Sequence, residues 1–397
     1  MTTDTFDFPA SRGTCPFAPP AAVAQVRRDT PVRRITLWDG TPAWLVTRHA
    51  DVRAVLRDNR FSSATHHDGF PWINDGLKAQ SAGKPEPFIR LDGPEHARLR
   101  NSVLADFTPR RAEALRPRVQ EVVDDCLDRM IQHGPPADLL AELALPLPSL
   151  IICDMLGVDY GDREFFRNRS ALLTQTDGES GQLQRALDEL LGYLGRLADR
   201  KRQTPDGSIV SRLAADDRLS DAEVAVTSMF LLIAGHETTA SQITMSTLAL
   251  LRNPEQLAAL RTRPALINNA VEELLRYASI VHSGAPRVAT EDVTVGGQLI
   301  GAGEGVLCVL DSANHDEHAF AAPEQLDITR QGRSHVAFGF GVHQCLGQSL
   351  ARVELQIALE SLLLRRLPGL RLNVAFDELR FNEDGAVFGV DELPVAW

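Results

Sequence analysis

The hydrophobic pattern predicts one dominant helix near the middle of the chain. A capping box that starts at Ser220 opens it, and the helical pattern then continues to Arg252, where Asn253-Pro254 ends it. These roughly 32 residues would extend over about 48 Å at 1.5 Å per residue. Residues 229–234 are apolar on every side, which indicates a helix inside a core. The sequence therefore predicts a core helix long enough to cross a whole domain.

Shorter patterns surround this helix. Residues 32–47 alternate about a turn at Asp39-Gly40, which predicts a hairpin, and residues 288–311 alternate about Gly296-Gly297, which predicts a small sheet. Segment 61–90 is rich in Gly, Pro, Ser and His and has no periodicity, so it is predicted to be irregular and functional. Other helical patterns cover 51–58, 93–157, 162–202, 265–278 and 346–365.

The predicted fold class is therefore mainly α with minor β. The β-rich part covers about 30–50 and 285–311, and the helical part covers about 93–278 and 346–366. No repeat, low-complexity tract or obvious linker divides the chain, which favours a single domain over 1–397.

Composition narrows the class of protein. The chain has 397 residues, of which 44% are hydrophobic and 24% charged, as in ordinary globular proteins and unlike disordered chains, collagens or coiled-coil rods. Lys and Arg number 41 against 53 Asp and Glu, and the net charge of −12 disfavours sequence-independent nucleic-acid binding.

Cysteine usage and hydropathy suggest a location. The five cysteines are scattered without a CxxC pair, which argues against a disulfide framework or structural zinc and fits a reducing compartment. The first ten residues carry no signal-peptide pattern, and the most apolar long stretch, 139–157, contains acidic residues and prolines that a membrane helix tolerates poorly. The expectation is a soluble, cytoplasmic protein that does not bind a membrane.

A glycine-rich loop at 338–347 carries the strongest chemical signal. It delivers Cys345 to the start of a predicted helix, where free backbone N–H groups and the helix dipole favour a thiolate. Such a thiolate suits a nucleophile or a metal ligand, whereas a lone cysteine is most often a buried structural residue. The loop chemistry alone leaves these alternatives open.

The same loop resembles the haem-ligand loop of the cytochromes P-450, Phe-x-x-Gly-x-(His/Arg)-x-Cys-x-Gly, with every defined position filled. By this resemblance Cys345 is the metal ligand, the axial thiolate of haem iron, which favours O–O cleavage. The other cofactor-binding residues that the resemblance implies in this loop are Phe338, Gly339, His343 and Gly347.

A second motif lies in the middle of the long helix. Residues 234–239, Ala-Gly-His-Glu-Thr-Thr, are similar to the oxygen-activation motif of the same family. The small residues Ala234 and Gly235 would leave room for O₂, and the Thr238 hydroxyl, four residues after Ala234, can bond the Ala234 carbonyl. Glu237 can relay protons as a general acid. A zinc-protease HExxH pattern is excluded, because the second histidine would have to stand at Ala240.

Two charged sets complete the resemblance. Glu273 and Arg276 share a helix face, and in the family such a pair is completed by an arginine, best matched here by Arg330, in a structural triad. The resemblance also implies cations that bind the two haem propionates, since buried carboxylates need charge-assisted partners. These are His96, Arg100 and Arg287, together with His343.

The resemblance covers nearly the whole chain and implies an activity. The expected fold is a triangular single domain, with haem b between the long helix and the helix after Cys345. The expected enzyme is a haem-thiolate monooxygenase, EC 1.14 type, that inserts one oxygen atom from O₂ into a C–H or C=C bond. Its expected substrate is a bulky lipophilic small molecule, of the polyketide or macrolide type or a xenobiotic.

The resemblance also implies partners, and it leaves alternatives open. Electrons are expected from an iron–sulfur ferredoxin and its NAD(P)H-dependent reductase, and the enzyme is expected to be a monomer. Six arginines in 96–118 form a positive island on an acidic chain, where Arg110, Arg111 and Arg116 could dock an acidic ferredoxin. A peroxide-driven enzyme, oxidative coupling or demethylation on the same fold, and a haem sensor or electron carrier remain as alternatives.

Substrate-contacting residues are the least defined by the sequence. Segment 174–182, with two glycines, could flex as a lid or be a plain surface loop. The candidate pocket residues are Phe70, Trp72, Phe230, Ala234, Ile280, Val281 and Phe388.

Overall fold

The computed structural model describes residues 8–81, 86–162, 165–166, 169, 180–331, 334–383 and 387–397. The helices are α1 (Ala21–Asp29), α2 (His49–Arg57), α3 (Asp75–Ser81), α4 (Gly93–Leu104), α5 (Pro109–Ala114), α6 (Arg116–His133), α7 (Pro146–Leu156), α8 (Ser180–Gln203), α9 (Ile209–Ala214), α10 (Asp221–Arg252), α11 (Pro254–Thr262), α12 (Ile267–Tyr277), α13 (Leu310–Asn314) and α14 (Gln348–Leu359). The strands are β1 (Val32–Thr36), β2 (Pro42–Val46), β3 (Phe61–Ser62), β4 (Ala137–Asp138), β5 (Ala285–Ala289), β6 (Val293–Val295), β7 (Gln298–Ile300), β8 (Gly305–Cys308), β9 (Arg371–Leu372), β10 (Phe381–Asn382), β11 (Gly389–Val390) and β12 (Pro394–Ala396). Helices dominate and the sheets are small, so the predicted class, mainly α with minor β, is confirmed.

The chain divides into two units. The first combines described residues from 8–81, 245–346 and 380–391, and the second combines those from 86–244, 347–379 and 392–397. The first holds most of the strands, and the second holds α4–α9, most of α10 and α14.

A five-stranded sheet organises the first unit. Its order is β1-β2-β8-β5-β3, in which β2 and β8 are parallel and the other pairs antiparallel. The predicted hairpin is confirmed, since β1 pairs with β2 and Gly40 takes the positive φ of +83° that its turn requires. The prediction of one small sheet within 288–311 was wrong in part, because β5 and β8 join the main sheet while β6 and β7 form a separate ribbon.

The two faces of this sheet are covered by different helices. Leu45 and Leu307 point to one face and cluster with the apolar side of α1. Val46 and Val306 point to the other face and cluster with α2. Because side chains alternate along a strand, a continuous apolar run can serve two cores.

Segment 61–90 is more ordered than predicted. It contains β3, which pairs with β5, and α3, whose Leu77 N–H donates to the Asn74 side chain at 2.9 Å. A methyl group on Gly69 would lie 1.8 Å from the Gly303 carbonyl oxygen, so glycine is required where this segment crosses the sheet. The prediction of an irregular segment was therefore wrong for these elements, and residues 82–85 lie outside the described residues.

In the second unit α10 has the predicted bounds. It begins at Asp221, and its capping box is formed because the Ser220 N–H donates to Glu223 Oε2 at 2.8 Å and the Glu223 N–H donates to Ser220 Oγ at 3.3 Å. It ends at Arg252, before Asn253-Pro254, as predicted. Strands β4, β12 and β9 form a three-stranded sheet that the sequence pattern did not predict.

Two other predicted helices differ from the structure. The helix predicted over 346–365 is α14 followed by a π-helical segment, Glu360–Arg366. It starts two residues later than predicted, with Gly347 at the N-cap position. Helix α8 begins at Ser180 within the predicted 162–202, and residues 174–179 of the candidate lid lie outside the described residues. Among the helices of the described residues, none combines the length and apolar character needed to cross a membrane.

Candidate functional site

The loop that carries Cys345 is a closed turn. The Cys345 N–H donates to the Phe338 carbonyl oxygen at 2.8 Å, and Gly339 and Gly341 take positive φ values of +68° and +76°. A methyl group on Gly341 would lie 2.3 Å from the Leu56 carbonyl oxygen, so only glycine fits there. Sequence and packing therefore fix the backbone from which the thiol projects.

The Cys345 side chain differs from the buried cysteines of the chain. Cys345 is half-buried, whereas Cys126 and Cys308 are fully buried. Burial raises the pKa of Cys126 to about 11 and that of Cys308 to about 12, which keeps both protonated. A ligand thiolate needs the accessibility that Cys345 retains.

The base of this loop is fixed by the Glu273 cluster. Both Arg276 and Arg330 donate to the Glu273 carboxylate, Arg276 at 2.7 and 2.8 Å and Arg330 at 3.0 Å to each oxygen. Arg276 also donates to the Asn314 carbonyl oxygen at 2.9 Å, and the Asn314 side chain accepts from the Val336 N–H at 2.7 Å. The three predicted triad residues thus lie together, and Asn314, which sequence analysis missed, connects them to the Cys345 loop.

Breaking this buried cluster is expected to destabilise the fold. Glu273→Gln would leave the Arg276 guanidinium, 1% exposed, without its carboxylate, and should lower the free energy of unfolding by about 3–5 kcal/mol. Urea unfolding followed by far-UV circular dichroism measures it. The matched control is Glu113→Gln, which removes the exposed i,i+3 pair with Arg116 and should cost no more than about 0.5 kcal/mol. Equal losses in the two variants would contradict the assigned role.

The candidate propionate partners lie in both units. In the first unit Arg287 is 7% exposed on β5, and His343 Nε2 lies 3.2 Å from the Ser63 hydroxyl oxygen. In the second unit His96 is buried on α4 and Arg100, one turn later, is half-buried. These are cationic or titratable groups held at least partly out of water, which suits carboxylate ligands.

Helix α10 has an accessible face in its middle turns, between buried stretches. Phe230, Ala234, Glu237 and Thr238 are half-buried, while the following residues 242–250 are all buried. The Thr238 hydroxyl donates to the Ala234 carbonyl oxygen at 2.7 Å. Small and apolar side chains with one hydroxyl and one carboxylate thus form a narrow stripe along the helix.

The candidate pocket residues are placed unequally. In the first unit Val281 and Val387 form an isolated bridge, and the Phe388 N–H donates to the Ile280 carbonyl oxygen at 2.7 Å. Phe388 is fully buried. Its ring stacks on Phe381, and the Arg12 guanidinium lies 4.1 Å from its centroid, so Phe388 packs in the core under this turn and is not an accessible pocket residue. Val281 and Val387 are half-buried.

Of the remaining pocket candidates, Phe70 and Trp72 lie in segment 61–90 and Phe230 lies on α10. Phe70 is 2% exposed and packs against the half-buried Trp72, with ring centroids 4.7 Å apart. Phe230 on α10 meets the ring of Phe88 edge to face at 5.0 Å. The accessible candidates are therefore Trp72, Phe230, Ala234 and Val281.

Sequence reasoning missed a buried carboxyl group behind the α10 motif. Glu354 on α14 is 3% exposed; burial raises its pKa to about 8, and a hydrogen bond with the Thr239 side chain offsets part of the rise. A glutamate among Leu350, Val353 and Leu355 was the available signal, because charge is costly in an apolar helix face.

The raised pKa of Glu354 predicts a pH-dependent stability. In the unfolded chain this carboxyl ionises near its ordinary pKa of 4.5, whereas in the folded protein it keeps its proton until about pH 8. The free energy of unfolding should therefore fall from pH 5 to pH 8 by about 2–4 kcal/mol more in the natural protein than in Glu354→Gln. Unfolding by urea at several pH values measures this, and Glu324→Gln, which removes an exposed carboxylate, is the control. A constant difference across that pH range would contradict the prediction.

The residues present fit a haem. The first unit presents an accessible thiol on a closed glycine loop. Each unit offers cationic groups for a carboxylate, and α10 in the second unit carries apolar side chains beside a hydroxyl. Thiolate, cations and an apolar surface are what an iron porphyrin with two propionates requires.

Comparisons with known proteins agree with this chemistry. A sequence profile of the family Cytochrome P450 matches residues 180–366. Cytochrome P450-SU2 of Streptomyces griseolus is 55% identical over 395 residues, covering 99% of this chain and 98% of the relative. Vitamin D3 dihydroxylase of the same organism is 46% identical and covers 100% and 98%. The crystal structure of CYP105P1 in complex with filipin I is 41% identical, with a TM-score of 0.92 over 99% of each chain.

Proposed function

Since this chain belongs to the cytochrome P450 family and is an oxidoreductase whose cofactor is haem iron, we propose that it is a haem b-dependent monooxygenase acting on a bulky lipophilic small molecule. The observation that carries the proposal is Cys345, an accessible thiol held by a closed glycine loop whose base is tied to the buried Glu273 cluster. The coverage of its relatives over 99% of the chain supports one catalytic domain.

The proposed roles in the first unit concern iron and propionate binding. Cys345 binds iron as a thiolate, and Arg287 and His343 bind a propionate. When bound, the haem supplies oxygen activation and transfer of one oxygen atom to the substrate. The rigid loop keeps the sulfur in place, and Phe338 and Gly339 shield it and shape the turn.

The proposed roles in the second unit concern propionates and protons. His96 and Arg100 bind a propionate, and Gly347 caps the helix that follows the ligand loop. Glu237 brings protons from solvent, and the Thr238 hydroxyl passes them on. Because the Thr238 hydroxyl already donates to the Ala234 carbonyl at 2.7 Å, its oxygen is oriented to accept a proton from the accessible side.

The substrate proposal follows from relatives and from accessible side chains. One relative is named a vitamin D3 dihydroxylase, and one similar solved structure is a complex with filipin I; both compounds are large molecules rich in C–H bonds. Accessible apolar surface is present on Trp72 and Val281 in the first unit and on Phe230 in the second. We infer a polyketide- or macrolide-type metabolite or a lipophilic xenobiotic.

Turnover under isotopically labelled oxygen tests the function. Purified enzyme with ferredoxin, ferredoxin reductase and NAD(P)H is offered macrolides, sterols and drug-like compounds that first produce a low-to-high-spin shift. One labelled oxygen atom per product supports a monooxygenase. Product formed with hydrogen peroxide alone, at the same rate, would favour a peroxide-driven enzyme. A spin shift without any product would contradict the proposal.

An acidic ferredoxin is proposed to dock near α5. Arg110 and Arg111 are exposed there, whereas Arg116 is partly neutralised by Glu113 and also donates to the Gln356 side chain at 2.8 Å. Two adjacent exposed cations attract an acidic partner by long-range steering.

Charge reversal at both positions is expected to weaken reduction. Arg110→Glu with Arg111→Glu should slow ferredoxin-dependent reduction about tenfold at low salt, and the difference should shrink above 0.5 M salt, a concentration at which the Debye length falls to about 4 Å. Stopped-flow reduction under carbon monoxide measures it. Arg371→Glu, on the exposed side of β9, is the control. Equal slowing in the control would place the docking surface elsewhere.

A further inference from the structure

The α10 motif is held from behind by two side chains outside it. We propose that Ser149 on α7 and Glu354 on α14 are positioning residues, which fix the turn that presents Glu237 and Thr238. Ser149 contacts His236, and Glu354 contacts Thr239. The inference rests on the proton-transfer role proposed for Glu237 and Thr238.

Helix geometry places the two contacts opposite the proposed catalytic pair. At about 100° per residue, His236 and Thr239 share one face of α10, and Glu237 and Thr238 lie on the face directly opposite. Burial follows the same division, since His236 is 4% and Thr239 6% exposed while the other two are half-buried. Contacts made by His236 and Thr239 on the buried face of this turn therefore fix the orientation of Glu237 and Thr238 on the opposite face.

The Ser149 contact has a defined direction. Its hydroxyl donates to the Leu145 carbonyl oxygen at 2.6 Å, so its oxygen accepts the hydrogen bond from His236 Nδ1. This requires a proton on Nδ1 of His236. Helix α7 is close at this point, because a methyl group on Gly235 would contact the Ile152 side chain at 3.5 Å.

The Glu354 contact is made by a neutral carboxyl group. Glu354 and Thr239 are both buried, and the pKa of Glu354, raised to about 8 by burial, keeps the acid protonated at neutral pH. A neutral acid can donate and accept at once, as an amide can. Glutamine should therefore preserve this anchor and leucine should remove it.

The anchors matter because the motif turn can bend. A threonine hydroxyl that bonds the carbonyl four residues earlier tends to bend a helix, and Thr238 makes that bond to Ala234. Without the contacts of His236 and Thr239, bending of this turn would rotate Glu237 and Thr238 away from the orientation that proton transfer requires. Two polar contacts from two different helices, one partly buried and one fully buried, restrict this rotation.

Nitrogen-15 NMR of the ferrous carbon monoxide holoenzyme tests the first anchor directly. In the natural protein the His236 ring should show a protonated Nδ1, and Ser149→Ala should change its signals. An unprotonated His236 Nδ1 in the natural protein would by itself overturn the proposal, before any variant is measured. This measurement does not depend on turnover.

Amide hydrogen exchange and the coupling of NAD(P)H consumption to product formation test whether the two contacts hold the motif turn in place. Ser149→Ala and Glu354→Leu should speed exchange in peptides covering 230–245 about tenfold, and should raise the peroxide released per NAD(P)H several-fold. Ser149→Thr and Glu354→Gln should restore both values. The control is Ser228→Ala, in the same helix, whose hydroxyl donates to the Val224 carbonyl oxygen at 2.7 Å and should affect neither.

The outcomes separate this inference from the proposed function. Unchanged exchange, or faster exchange with unchanged coupling, would overturn the positioning role. Normal coupling in Thr238→Ala would instead remove the proton-transfer role, while the His236 tautomer and exchange results would stand on their own.

Discussion

Cys345→Ala is expected to abolish the long-wavelength band that thiolate-bound ferrous haem gives with carbon monoxide. The side chain proposed to bind iron would be gone, and nothing else in its loop carries a sulfur atom. Monooxygenase turnover should become undetectable, since the thiolate donation that favours O–O cleavage is lost. The reduced difference spectrum and product analysis measure both effects.

The control separates this role from a general loss of thiols. Cys15→Ser removes an exposed cysteine and should leave the spectrum and turnover unchanged. Urea unfolding of both variants shows whether the fold persists. A thiolate-type spectrum that survives in Cys345→Ala would mean that another cysteine holds the iron, and the proposed site would then be wrong.

Local signals explain what the sequence could predict of the fold. The bounds of α10 follow from a cap at Ser220 and a stop at Asn253-Pro254, which act within one turn of the helix end. The β1–β2 turn at Gly40 is equally local. In contrast, β4 pairs with β12 across more than half of the chain, and two-residue strands carry no pattern that distinguishes them from loops.

The candidate site shows the same division. The residues of the Cys345 loop are contiguous, so a motif could identify them together. Asn314 connects that loop to Arg276 through its own carbonyl and side chain, which only the tertiary structure reveals. Ser149 lies 87 residues from His236, and a serine in a helix gives no signal of its partner.

Burial also separates candidates that composition treats alike. Phe70, Phe388 and Phe230 were equally plausible pocket residues in the sequence. The structure buries Phe70 and Phe388 and leaves Phe230 half-buried on the accessible side of α10. An aromatic side chain has the same preference for a core and for an apolar pocket, so sequence alone cannot distinguish them.

Thr238→Ala is expected to keep haem binding and substrate binding but to divert electrons from product into hydrogen peroxide. Alanine removes the hydroxyl proposed to pass protons and its bond to the Ala234 carbonyl, yet leaves the Cys345 loop untouched. Loss of a positioned proton donor costs about a hundredfold or more in such steps, so product per NAD(P)H should fall steeply while NAD(P)H consumption continues.

The matched control for this variant lies on the same helix. Thr244 is fully buried and donates to the Ala240 carbonyl oxygen at 3.2 Å, the same kind of bond six residues later. Thr244→Ala should therefore lower stability without changing the ratio of peroxide to product. Thr238→Ser, which keeps a hydroxyl, should retain most of the coupling. If Thr238→Ala and Thr244→Ala released peroxide equally, the effect would come from helix packing, and the proton-transfer role of Thr238 would have to be abandoned.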